Sequence, residues 1–320
     1  MEHRKLIQFG KSAFCVTLPQ MWIKKNKIEK GQSLSVHETA KNTIEISMSL
    51  EQQEENSNLT IDIAGKPTDE IIQLLLASYL NGYLTITLEG QNAGKVSSVR
   101  DYVHEFIAAE IMEVTSNKIV IHVFGDIKNV NLESIINRIG HIIKSLFEES
   151  IELVDSGIDI KDIIEKGYEV ERQAWLARRA IKYSLTHSAA AQRFNMSPLE
   201  LFYTANIKYF FGRIAEYIIQ IAKIIGESIL HKSISPKAKR ELKAMIQNAS
   251  NNFEKVLERY NTRKVRITEK EYQNFEESID SFREKNSGNG IPVICEYLKM
   301  IIDKIKEIEF NIISLENAPK

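Results

Sequence analysis

Apolar positions along this chain follow two periods, and the change between them divides it. In residues 1–50 the runs "KLIQFG", "AFCVTLP", "SLSVHE" and "TIEISM" alternate or run apolar over short stretches, which predicts short β-strands. Between them "PQMWIKKNKI" reads as a helical turn opened by Pro19 and followed by the glycine turn "EKGQ". Residues 59–126 alternate strand and helix. "LTIDIAG" and "LTITLEG" read as strands, and "TDEIIQLLLASYLNGY" as a helix capped by Thr68. "SSVRDYVHEFIAAEI" reads as a second helix, and "IMEVTS" with "KIVIHVFG" as a β-hairpin, so this segment is a small α/β layer. From Asn131 the two-residue period disappears. Six amphipathic helices are expected near 131–155, 158–187, 198–232, 235–262, 268–286 and 291–316. "SPLE" supplies a capping box from Ser197 and Glu200, "ISPK" repeats the Ser-Pro start, and Thr268 is offered as another cap.

The 320-residue length suits two or three domains, here 1–50, 59–126 and 131–320, with the acidic, polar "EQQEENSN" as a linker. The fold class expected is α+β. Fifty residues of short strands bury little surface in one copy, so the N-terminal segment is expected to share its core with a second chain. The run "NIKYFFGRIAEYIIQIAKIIG" is interrupted by Lys208, Arg213, Glu216 and Lys223, which reads as a buried helix rather than a membrane span. Without an apolar stretch behind "MEHRKLIQFG", no signal peptide is expected. The two cysteines lie far apart in the sequence, so a reduced cytoplasmic setting is the simple reading.

Formal charge is −1 overall, but residues 1–30 carry seven Lys and Arg side chains against Glu2 and Glu29, an excess of five. Several cations on one rigid face suit phosphate contacts, and a dimer doubles each of them. The ordered pattern "GKSAFCVTLPQMW" resembles the AbrB/SpoVT family of swapped-hairpin DNA-binding domains, over residues 3–46. The resemblance implies an interleaved dimer that meets double-stranded DNA through Arg4, Lys5, Lys11, Lys24 and Lys25. Cys15 and Trp22 are then expected to face its core. No recognition helix is apparent, so base readout is expected to be modest. The bland alternative is that these lysines only solubilise the segment.

The string "YFFGRIAEYIIQIAKII" has apolar spacing that a buried helix explains in full. It also resembles the E-R-I-x-D signature of the PhoU phosphate-uptake regulators, with "GYEVERQAWLARRAI" at the place of their other acidic motif. The whole chain is similar to archaeal-type fusions of an AbrB-like with a PhoU-like domain. The resemblance implies a C-terminal region of two three-helix units. Family motifs place two carboxylates four residues apart, able to share a cation. Here Gly167 and Gly212 stand where the first acid of each pair belongs, leaving Glu171 and Glu216 alone. The glycines suggest close helix packing or altered geometry. No structural metal is therefore expected on the first unit. A residual divalent-metal site would use Glu276, Asp280 and Asp303, although acids spaced like Glu276 and Asp280 are common on solvated faces.

The seven histidines never pair at metal-ligand spacing, and no phosphate loop, nucleophile elbow or zinc-protease motif occurs. A catalytic role is the least favoured class, and no cofactor is expected. The reading is a transcriptional regulator linked to phosphate uptake, a homodimer or higher homo-oligomer, whose helical region receives a signal or a transport or signalling protein. Two alternatives stay open: a phosphate-signalling adaptor with little DNA affinity, and a nucleoid-architectural protein.

Overall fold

The computed structural model describes residues 3–38, 43–48, 58–91, 97–124, 127, 130–156, 159–186, 194, 196–230, 234–262, 269–286 and 290–317. Two compact units divide the chain, Met1–Glu55 and Asn56–Lys320. Most of the expected linker, and the predicted cap Thr268, lie outside the described residues.

The first unit holds two antiparallel hairpins. Strands β1 (Ile7–Phe9) and β2 (Ala13–Cys15) pair Ile7 with Cys15 and Phe9 with Ala13. The three residues between them turn the chain, and Gly10 takes the positive φ of 72° that a side chain would resist. Helix α1 (Gln20–Lys25) follows Pro19, whose fixed φ suits a helix entrance and whose missing N–H costs nothing there. Strands β3 (Leu34–Glu38) and β4 (Ile44–Met48) form the second hairpin. No described residue of this unit is buried.

The second unit opens with a four-stranded sheet ordered β5-β6-β8-β7. Strand β5 (Asn58–Asp62) runs parallel to β6 (Thr85–Glu89), joined by helix α2 (Thr68–Leu80). The N-cap of α2 is Pro67, without a side-chain bond, so Thr68 is the first helical residue rather than the cap. Helix α3 (Ser97–Val103) is shorter than its apolar pattern suggested. Ala108 adopts a φ of 64°, which no helix accommodates, and the chain enters β7 (Ala109–Val114) at once. Strand β8 (Lys118–Val123) pairs with both β7 and β6. Ile86, Leu88, Ile119, Ile121 and Val123 bury one face of the sheet under Leu75, Tyr79, Val99 and Val103. The alternation that predicted the strands thus follows from one covered face.

Six long helices complete the unit: α4 (Leu132–Ser156), α5 (Ile160–Thr186), α6 (Pro198–Leu230), α7 (Pro236–Thr262), α8 (Glu269–Lys285) and α9 (Ile291–Glu316). One continuous apolar core runs through all of them, including Ile139, Phe147, Phe211, Phe253, Ile279 and Ile302. The predicted capping box forms: Glu200 N–H donates to Ser197 Oγ at 3.2 Å, and Ser197 N–H donates to Glu200 Oε2 at 2.6 Å. Ser235 Oγ likewise accepts from Ala238 N–H at 3.2 Å. Among the described residues no helix is long and apolar enough to cross a membrane.

Arg179 of α5 locks the helices to the sheet layer. Its buried guanidinium donates to the carbonyls of Tyr79, Gly82 and Tyr83, the last two at 3.2 Å, and lies 4.8 Å from the centre of the Tyr79 ring. A cation here meets the carbonyl-rich, partially negative end of α2, which offsets its burial. Trp175, one turn earlier, packs at 5.6 Å from both Tyr102 and Phe106.

Candidate nucleic-acid interface and the acidic helix positions

The first unit displays all five expected DNA-binding cations at exposed positions. Arg4 and Lys5 lie on the segment entering β1. Lys11 occupies the tip of the first hairpin, and Lys24 and Lys25 fill the last turn of α1. That last turn exposes C-terminal carbonyls, which favour cations and help hold the lysines there. Lys5, Lys11, Lys24 and Lys25 form no ion pair among the described residues, so their charge is directed at solvent or a ligand.

The same unit leaves its apolar side chains uncovered. Phe9 is 72% exposed, Phe14 63%, Met21 85% and Ile44 70%. Cys15, expected against a core, is exposed, and Trp22 is only half-buried. The physical reason is shared: two thin hairpins and one six-residue helix have no second layer to close over them.

The acids of the helical region are spoken for in part. Gly167 lies so close to α6 that an added Cβ would sit 2.2 Å from Ile219 Cδ1, which is the tight packing the glycine suggested. Gly212 differs, since a Cβ there would meet nothing within 4 Å. Glu171 and Glu216 project from α5 and α6 near each other. Partial burial, with Glu105 and Glu216 as nearby like charges, raises the Glu171 carboxyl above the usual range. Glu216 is ion-paired to Arg213. In the last two helices Lys306 Nζ donates to Glu276 at 2.6 Å and Lys299 Nζ to Asp280 at 2.5 Å, while Asp303 is exposed. Glu276 and Asp280 therefore each face a lysine rather than each other. Among the described residues no three His, Cys, Asp or Glu side chains gather closely enough to hold a metal ion.

Two polar features escaped the sequence reading. A groove of about 650 Å3 between α4 and α5 is lined by Ser134, Asn137, Arg138, His141, Ser145, Lys166 and Glu169 among others. Arg138 donates to Glu169 at 2.9 Å, and Lys166 to Ser145 at 2.7 Å and to Glu149. Its legible signal was the helical spacing of Ser134, Arg138, His141 and Ser145 along α4. The second is a buried network. Arg259 of α7 pairs with Glu309 of α9, and the hydroxyl of Tyr272 on α8 donates to the other Glu309 oxygen at 2.8 Å. No spacing rule links residues so far apart in sequence.

No protein-family model, curated protein or solved structure matches the chain.

Proposed function

We propose that the protein is a DNA-binding transcriptional regulator, not an enzyme, that works as a homodimer through its first unit. The observation that carries this reading is a unit with no buried residue among those described, which holds Lys11 at a hairpin tip and Lys24 and Lys25 at a helix end without an ion pair among the described residues. A unit of this size with exposed Phe9, Phe14 and Ile44 gains too little from folding alone. Interleaving with a second copy in the swapped-hairpin manner would cover those side chains and double the cations. The resemblance to PhoU proteins supports assigning the two three-helix units to receive a phosphate-related signal, from a protein partner or a small ligand. The two cysteines, far apart in the sequence, support a cytoplasmic setting.

The test uses the full chain and a mixed-sequence DNA duplex, with affinity followed by fluorescence anisotropy against salt concentration. Binding should weaken linearly in log–log form, by about 0.9 in slope per phosphate contact. Replacing Lys11, Lys24 and Lys25 together by alanine should lower that slope and the affinity. If neither changes, the lysines serve solubility and the adaptor reading takes over. Genome-wide occupancy in phosphate-replete and phosphate-starved cells separates a regulator with discrete sites from an architectural protein that coats DNA.

A further inference from the structure

Helices α5 and α6 pack along each other, and two contacts set their register. A Cβ on Gly167 would sit 2.2 Å from Ile219 Cδ1, and Glu171 lies close enough to Glu216 for their charges to repel. One number rises as the other falls, so the helices are antiparallel. Eleven residues on from Gly167 stands Arg178, and eleven back from Ile219 stands Lys208. Eleven residues are about three helical turns, so Arg178 and Lys208 repeat the stripe of Gly167 and Ile219 and meet across the same seam. Arg178 is accordingly the charged neighbour that acts on Lys208. Burial first, and this like charge second, push the Lys208 pKa down from 10.5 to about 8, with no carboxylate opposing them.

Two cations that face each other call for an anion, and the chain supplies none among the described residues. Elsewhere in the helical region such side chains reach an acid on another helix, Lys243 to Asp155, Lys255 to Glu271 and Arg283 to Glu296. Arg178 and Lys208 have no ion pair or hydrogen bond among the described residues. Residues 172–199 explain why: they include Arg172, Arg178, Arg179, Lys182 and Arg193 but no Asp or Glu. Glu200, the next acid along the chain, is held in the capping box with Ser197. One turn before Lys208 on the same side of α6, Thr204 is fully buried and its hydroxyl has no partner. Buried hydroxyls are rarely left so. A guanidinium fork, an ammonium and a hydroxyl can all donate to one acceptor-rich ion, and the two positive charges match a dianion. Lys208 is half-buried and Thr204 wholly so, which suits a small free ion rather than phosphates fixed on a stiff duplex.

We propose that Arg178, Lys208 and Thr204 form a binding site between α5 and α6 for a small tetrahedral dianion, inorganic phosphate. The choice of phosphate over sulfate rests on the phosphate-related reading above; the site itself rests on the unpartnered donors. Bound there, the ion neutralises both cations and ties α5 to α6. Arg179, the next residue of α5, anchors that helix to the end of α2, so occupancy at the seam bears on the joint between helices and sheet.

The experiment is equilibrium dialysis of the full chain against radiolabelled inorganic phosphate, in a phosphate-free zwitterionic buffer at pH 7. One ion should bind per chain, and phosphate should raise Tm. Lys208→Met and Arg178→Gln should each weaken binding about ten- to a hundredfold, as the loss of one charged hydrogen-bond donor does, and should abolish the gain in Tm. Arg178 is exposed, so its variant leaves the core intact. The variant with Lys11, Lys24 and Lys25 replaced by alanine should bind phosphate as the unaltered chain does, which excludes the first unit as the site. Absence of saturable binding, or equal binding by the unaltered chain and both seam variants, overturns the proposal. If phosphate binds at the seam while genome-wide occupancy ignores phosphate supply, the site stands and the signalling reading falls, so the two fail separately.

Discussion

Removing Glu309 should unlock the last three helices. The Arg259 side chain is 5% exposed and that of Glu309 10%, so neither charge is appreciably hydrated. Glu309→Leu would strand the guanidinium with Glu316, at 3.5 Å, as its remaining carboxylate among the described residues, and would take the acceptor from the Tyr272 hydroxyl. Breaking a buried pair from one side costs about 3–5 kcal/mol. That is a large part of a domain stability of about 5–15 kcal/mol. The pair itself need not be stabilising relative to an apolar one, because desolvation offsets the attraction. Arg259→Met with Glu309→Leu should therefore recover most of the loss. Tyr272→Phe, which removes only the hydroxyl, should cost about 1 kcal/mol. Urea unfolding followed by Trp175 fluorescence, in a Trp22→Phe background, reports on the second unit. Hydrogen exchange of α9 peptides locates the change. A loss below about 1 kcal/mol for Glu309→Leu, or a double variant as weak as the single one, would refute the reasoning.

Lys208 tests the sign of a second buried charge. Burial first, and Arg178 second, push its pKa down from 10.5 to about 8. The unfolded chain then binds that proton more tightly, so this residue destabilises fully below pH 8, and its penalty fades as pH rises towards 10.5. Lys208→Met should raise Tm at pH 7 and raise it less at pH 10; an equal gain at both would show that packing, not charge, is responsible. The two helical glycines should respond differently to alanine. Gly212→Ala meets open space and should stabilise by about 1 kcal/mol through helix propensity. Gly167→Ala must displace Ile219, so the same gain is offset by about 1–3 kcal/mol of overpacking, and equal effects at the two positions would contradict the close approach.

Local periodicity alone was enough to place the six helices within a few residues and to separate strand-rich from helical segments. Those features depend on which face of an element meets a core, and apolar spacing records that directly. The Ser197–Glu200 box was legible for the same reason, since every participant lies within one turn. Elements set by distant contacts were not. Helix α3 ends early because Ala108 must turn into a strand that pairs with β8, a demand absent from its own apolar run. Glu276 and Asp280 read as neighbours on a helix, but α9 brings Lys306 and Lys299 to them. Gly167 and Gly212 look equivalent in sequence, and only the approach of Ile219 to one of them tells them apart. Arg259 and Glu309 lie fifty residues apart, Arg179 caps a helix end almost a hundred residues before it, and Asn206 meets Asn311 only because the chain brings α6 and α9 side by side. Hydrophobic burial is written residue by residue, whereas the pairing of charged and polar side chains depends on which helices become neighbours.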